Sequence, residues 1–326
     1  MIVKKIAITI GEPGGVGPEI IAKALSFPEI TDCCIPVVIG SASVMEEILN
    51  IVRIPVQLRI IKSPAESKSS SGIIDIIDSG IPKGFKKNKP AAEGGQACVT
   101  YINKAVELAL QKKVDGIVTA PISKEALKMA GFQWPGHTEM LADLTRTKDY
   151  AMMLIGGTLR VILVTIHTAL KHVPELITKQ KILKTIRLAK RACDMLNIKN
   201  PVIAVAGLNP HAGEKGLFGD EEQKKIIPAV KEALKEGLPV SGPYPPDTIF
   251  HKAYRGDVDI VVCMYHDQGL IPLKMIAFDK GVNVTIGLPF IRTSPDHGTA
   301  YDIAWKGIAN PSSMIEAIKL AAMLRI

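Results

Sequence analysis

Residues 259–269 read DIVVCMYHDQG, an apolar run that ends on a histidine. Such a run, bounded by polar residues, reads as a strand buried on both faces, as strands of a largely parallel sheet are. The same form recurs at KIAITI (5–10), IPVVIG (35–40), DGIVTA (115–120), RVILVTI (160–166), PVIAVAG (201–207) and NVTIGL (283–288). Helical patterns lie between these runs. TYINKAVELALQKK (100–113) places Ile102, Val106, Leu108 and Leu110 among polar residues. KILKTIRLAKRACDML (181–196) and EEQKKIIPAVKEALKEG (221–237) look similar, with Gly237 placed to stop the last. Strands alternating with helices predict an α/β fold around a largely parallel sheet. SPAESKSSSG (63–72) and the Lys-, Pro- and Gly-rich GIPKGFKKNKPAAEGG (80–95) read as mobile surface connections.

The chain has 326 residues, 47% hydrophobic and 22% charged, enough for two domain-sized units or one large α/β enzyme. The apolar run after Lys5 ends by Glu12, too soon for a signal peptide. No run approaches the roughly 20 residues of a membrane helix, so a soluble cytoplasmic protein is expected, with no membrane partner. Five cysteines, Cys33, Cys34, Cys98, Cys193 and Cys263, form no CxxC pair and read as reduced buried thiols. The net charge of +8 raises nucleic acid as a partner. The lysines, however, are scattered over amphipathic segments such as KQKILKTIRLAKR, and only seven Phe and two Trp are available for stacking. A solvated basic face that attracts an anionic small molecule is expected instead, with no nucleic acid bound.

Three of the seven histidines share one context. His167 follows RVILVTI, His211 follows PVIAVAG through Leu208-Asn209-Pro210, and His266 follows DIVVCMY. Each stands at the carboxyl end of an expected strand, where open α/β sheets bind ligands. Three imidazoles converging there suit a divalent ion with open positions, and such sites take Zn, Co, Mn and sometimes Mg. The spacings of 44 and 55 residues carry no local signature of their own. Asp267, beside His266, and Asp247, in PPDTIF, are candidates to complete the coordination shell, orient an imidazole or act as a base. Asp247 reads equally as a helix N-cap. PGHTE (135–139) reads as a turn entering a helix, with His137 and Thr138 near an amino end that favours phosphate or carboxylate. Lys274, Asn283 and Arg292 fall in or beside turns downstream of His266 and extend the anion grip. The first loop, GEPGGVGPEI (11–20), follows a strand and precedes a helix, yet it lacks the GxGxxG Rossmann fingerprint; GxxxxGK[ST] is absent as well. A dinucleotide, if used, binds elsewhere.

Several of these segments together carry a family resemblance. GEPGGVGPEI, DGIVTAPISKEAL, PGHTE, GLNPHAGEKGLFGDEE, PPDTIF, MYHDQGLIPLK and GVNVTIGLPFIRTSPDHGTAYDIAWKG resemble the 4-hydroxythreonine-4-phosphate dehydrogenases of pyridoxal phosphate biosynthesis, from residue 5 to the end. DHGTAYDIAWKGIANP (296–311) is also similar to a loop of isopropylmalate and isocitrate dehydrogenases that holds the adenosine part of NAD or NADP. Tyr301 and Trp305 stand where that loop has proline and glycine. The resemblance implies a two-domain isocitrate/isopropylmalate dehydrogenase-like fold. It implies a cofactor-side α/β domain over 1–130 plus 296–326, and a metal, substrate and dimerisation domain over 131–295. It makes His297, Gly298, Thr299, Ala300, Asp302 and Asn310 cofactor-site candidates. It makes His167, His211 and His266 metal ligands for Zn, Mg, Co or Mn in a homodimer whose site takes its third histidine from the partner subunit. It matches His137, Thr138, Lys274, Asn283 and Arg292 to substrate-binding positions. The implied activity is metal-dependent, NAD(P)-linked oxidation of 4-phosphohydroxy-L-threonine. Rival readings are a 4-phospho-threonate or phospho-erythronate dehydrogenase, an aromatic dihydrodiol dehydrogenase, a metal-dependent phosphohydrolase and a non-catalytic anion-binding protein.

Overall fold

A computed structural model describes residues 3–326. The chain forms two compact units, Met1–Thr147 with Leu288–Leu324, and Lys148–Gly287 with Arg325–Ile326. The sequence expectation cut the chain after residues 130 and 295, so the segment carrying His137 and Thr138, and that carrying Arg292, belong with the first unit.

In the first unit the chain runs through β1 (Lys5–Thr9), α1 (Gly17–Leu25), α2 (Pro28–Cys33), β2 (Ile35–Gly40) and α3 (Ala42–Val52). It continues with β3 (Gln57–Ile60), β4 (Ile73–Asp78), α4 (Ala92–Leu110), β5 (Gly116–Thr119), α5 (Lys124–Met129) and α6 (His137–Leu144). The second unit holds β6 (Ala151–Gly156), β7 (Leu159–Leu163), α7 (Val173–Leu176), α8 (Lys179–Met195) and β8 (Ile203–Ala206). It is completed by α9 (Ile227–Lys235), β9 (Val240–Tyr244), α10 (Pro246–Arg255), β10 (Ile260–Cys263), α11 (His266–Ala277) and β11 (Val282–Ile286). β12 (Ile291–Pro295) and α12 (Ser312–Met323) return to the first unit.

The first unit's strands run in the order β3-β4-β2-β1-β5-β12, and every pairing is parallel. The side chains that make this possible are apolar on both faces: Ile6, Ile8, Val37, Ile39, Ile76 and Val118 are fully buried. Helix α12 packs on β12 and β5, and α4 packs on β1, β2 and β5. In the second unit the order is β11-β6-β7-β10-β8-β9. Strands β7, β10, β8 and β9 are parallel, whereas β6 is antiparallel to both β7 and β11. Leu154, Val161, Leu163, Val261, Leu270 and Leu273 share one core beneath α10 and α11. Burying each such side chain is worth about 2 kcal/mol. Caps set several helix starts. Ser41, Ser123 and Thr178 accept from the N–H of Val44, Ala126 and Lys181 to open α3, α5 and α8.

Each expected strand is present within two residues of its expected span at its start and three at its end, and the 221–237 helix ends at Gly237. Two expectations need correction. Helix α4 begins at Ala92, inside the stretch read as a loop, and Leu110 at its end is exposed. The Gly94-Gly95 pair misled the reading. Here glycine serves close packing: a Cβ at Gly95 would stand 2.2 Å from Ala126 O, and one at Gly94 would stand 2.1 Å from Glu12 Oε1. The connections are also pinned. Asn88 N–H donates to Gly14 O at 2.9 Å, Tyr101 Oη to Gly80 O at 2.7 Å, and Ser67 Oγ to the buried Asp75 at 2.7 Å. No helix among the described residues is long and apolar enough to cross a membrane. All five cysteines are free thiols.

Candidate active site

In the first unit the register of β12 on β5 sets Arg292 beside Ile117. From there its Nη2 donates to Thr119 Oγ1 at 2.7 Å. The residue is 1% exposed. Burial pushes the guanidinium down to about 9, against an opposing pull from Glu139. His137 opens α6, and Thr138 beside it is buried. Burial, reinforced by the charge of Arg292, holds the His137 imidazole well below its ordinary value, so it is neutral at pH 7. Its Nε2 is buried with no hydrogen-bond partner among the described residues. A buried cation, a neutral imidazole with an unused nitrogen and a helix amino terminus form an environment that an anion completes.

Lys274 and Asn283 lie in the second unit. Lys274 is on α11 with its Nζ 5.7 Å from the Phe278 ring centre. Asn283 is on β11, paired with Leu154, and its Oδ1 is buried with no hydrogen-bond partner among the described residues.

The three histidines sit beyond the carboxyl ends of β7, β8 and β10, which are neighbours in the order β7-β10-β8. The rings of His167 and His266 stand 5.9 Å apart. Two imidazoles sharing one ion at metal–nitrogen distances of about 2 Å have centres about 5 Å apart. With its proton on Nδ1, His266 donates to Asp267 Oδ1 at 2.6 Å, which leaves Nε2 directed to other use. A carboxylate on the far nitrogen is the usual support of a metal-bound imidazole. The donor set therefore fits a divalent ion. The three imidazoles do not converge within the chain, however: among the described residues no group of three His, Cys, Asp or Glu could hold a metal. His211 rides on a left-handed turn beyond β8, its ring 6.1 Å from that of Phe218. Asp247 is exposed in the first turn of α10, where Pro245 holds the N-cap position.

The cofactor candidates form an exposed loop in the first unit. His297, Gly298, Asp302 and Asn310 are exposed, Thr299 and Ala300 partly so, and nothing lies within 4 Å of where a Gly298 Cβ would stand. Open space beside exposed polar groups suits one face of a nucleotide. Asn310 already has a task, since its Oδ1 accepts from Ser312 N and Oγ at the start of α12.

Sequence reasoning missed what holds this loop. The fully buried Glu19 accepts from Ala309 N at 2.6 Å and Gly307 N at 3.2 Å, and Lys23 donates to the carbonyls of both residues. Val16 N–H donates to Thr299 O, and Trp305 Nε1 to Pro13 O. Lys87 lies 4.3 Å from the Trp305 ring centre. The first loop and α1 thus hold the 297–310 loop in place. Glu12 was also missed. It is fully buried, meets Gly14 N at 3.3 Å and Cys98 Sγ at 3.8 Å, and burial pushes its carboxyl up to about 7. The signal was available: acidic residues at 12 and 19 punctuate a loop otherwise made of Gly, Pro, Val and Ile.

The family model described as pyridoxal phosphate biosynthetic protein PdxA matches residues 32–321. A 4-hydroxythreonine-4-phosphate dehydrogenase of Trichlorobacter lovleyi is 49% identical over 332 residues, covering 98% of this chain and 97% of that protein. A D-threonate 4-phosphate dehydrogenase of Salmonella typhimurium is 47% identical, covering 98% and 99%. The crystal structure of 4-hydroxythreonine-4-phosphate dehydrogenase from Klebsiella pneumoniae superposes with a TM-score of 0.90 at 46% identity, covering 98% of each chain. By sequence over nearly its whole length and by fold, the chain belongs to the pyridoxal phosphate biosynthetic protein PdxA family.

Proposed function

We propose that this chain is a metal-dependent, NAD(P)-linked dehydrogenase that oxidises 4-phosphohydroxy-L-threonine to a β-keto acid. That acid loses CO2 to give 3-amino-2-oxopropyl phosphate. The observation that carries this reading is the buried Arg292 beside neutral His137 at the start of α6, an anion grip in a chain whose relatives are named dehydrogenases of phosphorylated hydroxy acids. Arg292, His137 and Thr138 hold the phosphate, with Lys274 and Asn283 as further substrate contacts. His167, His211 and His266 hold a divalent ion, in a homodimer that shares each site, with the third histidine supplied by the partner subunit. The ion, when bound, supplies a Lewis acid that makes the substrate hydroxyl more acidic. Asp267 keeps the proton on His266 Nδ1 and so keeps Nε2 available. Asp247, or a water it orients, takes the hydroxyl proton. His297, Gly298, Thr299, Ala300, Asp302 and Asn310 position NAD or NADP, whose nicotinamide takes the hydride.

The D-threonate 4-phosphate dehydrogenase names borne by relatives 47–48% identical favour a second reading, oxidation of 4-phospho-threonate. One panel separates them. The purified chain is given each substrate with NAD or NADP, with and without Zn2+, Mg2+, Co2+ or Mn2+, and absorbance of the reduced nicotinamide is followed. Turnover of 4-phosphohydroxy-L-threonine that stops on metal removal supports the first reading. Phosphate release without reduced nicotinamide overturns both.

A further inference from the structure

Glu222 lies in the turn that precedes α9 and is 2% exposed. Its Oε1 accepts from the backbone N–H of Leu208 at 2.7 Å and of Asn209 at 2.8 Å. Its Oε2 accepts from Asn209 Nδ2 at 2.9 Å, and the same amide donates to Glu221 Oε2 at 2.8 Å. The loop gathered around this carboxylate contains five successive left-handed residues. His211, Ala212, Gly213, Glu214 and Lys215 have φ of 53°, 52°, 80°, 39° and 57°. Four of the five are not glycine, and L-residues disfavour that region. Such a run persists only where its surroundings over-determine it. Glu222 packs against the middle of the run: a Cβ at Gly213 would stand 2.6 Å from Glu222 Oε2 and 3.3 Å from Gly219 O.

We propose that Glu222 is the positioning residue that keeps the 211–215 turn left-handed and so presents His211 to the divalent ion, an inference that rests on the metal reading above. Glu222 does not touch the ion. It acts through two backbone amides and one side-chain amide next to the histidine. Asn209 relays that hold, because both of its N–H sets end on carboxylates of the 221–222 pair.

The test is calorimetric titration of Zn2+ alone into the metal-stripped full chain, for the wild type, Glu222→Gln, Glu222→Ala and Gly213→Ala. Gln keeps an acceptor for Leu208 and Asn209 but turns a donor toward Asn209 Nδ2. Ala removes every acceptor. The Zn2+ Kd is expected to rise about 10-fold in Glu222→Gln and about 100-fold in Glu222→Ala. Amide exchange at Leu208 and Asn209 is expected to quicken in the same order. Gly213→Ala, which presses on the carboxylate without removing it, raises the Kd about 10-fold and stands in if Glu222→Ala does not fold. A merely structural Glu222 would lower the unfolding temperature and leave the Kd of the folded chain alone. Wild-type binding with every folded variant within about twofold of it overturns this inference and spares the metal reading. A wild type that binds none of Zn2+, Mg2+, Co2+ or Mn2+, each titrated singly in the same way, overturns the metal reading and this inference with it.

Discussion

Arg292 carries its charge where water does not reach, and Lys cannot replace it at no cost. The guanidinium spans Thr119 on one side and the neutral His137 environment on the other. Arg292→Lys keeps a cation but loses the fork that can bind Thr119 and two phosphate oxygens together. The KM for the phosphorylated substrate is expected to rise about 100-fold, with the KM for nucleotide unchanged, because a charge-assisted contact of this kind contributes about 2–3 kcal/mol. Equal KM values for substrate in the two proteins would remove Arg292 from the phosphate grip. Glu12 yields a prediction about pH. Its folded pKa of about 7 lies above the ordinary 4.5, chiefly through burial, so the folded chain holds this proton more tightly than the unfolded one. Its stabilising contribution is whole below about 4.5, falls as pH rises toward 7 and is gone above that. Glu12→Gln cannot ionise and escapes that loss. The unfolding temperatures of the two proteins should match near pH 4.5, diverge in favour of the variant up to about pH 7 and then run parallel, the gap reflecting about 3 kcal/mol. A gap independent of pH would show that folding leaves the Glu12 pKa at its unfolded value.

The 297–310 loop is best tested as an element, because Glu19 and Lys23 hold it from outside the candidate contacts. Glu19→Ala frees Gly307 and Ala309 and leaves Lys23 without its carboxylate. If the loop seats the nucleotide, its KM for NAD or NADP rises about 10-fold or more while Zn2+ binding is unchanged. A fall in unfolding temperature with an unaltered nucleotide KM would place the cofactor elsewhere. The elements that sequence reading found share a trait with those it missed. Strands β1, β2, β5, β7, β8, β10 and β11 are apolar runs, buried on both faces, and the alternation with helices was readable from them. Strand β12 is just as buried, but it reads IRTSP, and its polar side chains Arg292, Thr293 and Ser294 are buried, with Arg292 bonded to Thr119 and Thr293 to the Ala317 carbonyl. Strand β4 hides for a similar reason, since Asp75 breaks its apolar run and is met by Arg59 from β3 and by Ser67. Strand β9, VSGPY, carries the Gly and Pro of a loop. Histidines at strand ends were legible because strand order does not matter to that signal. The left-handed turn at His211 and the carboxylate beneath it were not, since no local pattern places residue 222 against residues 208 and 209.

At the scale of the whole molecule, the proposed function calls for a site shared between two chains. Two imidazoles approach each other, and among the described residues no third ligand joins them. Beside them α11 exposes Ile271, Met275 and Phe278, the last two at 82% and 76%, on the helix that begins with His266. The homodimer proposed above would cover this face and bring a third imidazole to the pair, and complementation tests it. His266→Ala and Arg292→Ala are each expected to be inactive alone. Unfolded together, mixed in equal amounts and refolded, they pair at random, and half of the dimers carry one chain of each kind. If a site takes Arg292 from one chain and His266 from the other, one of the two sites in each mixed dimer has both residues intact. The mixture then regains about a quarter of wild-type activity. If each site is built from a single chain, every site in every dimer lacks one residue and activity stays at background.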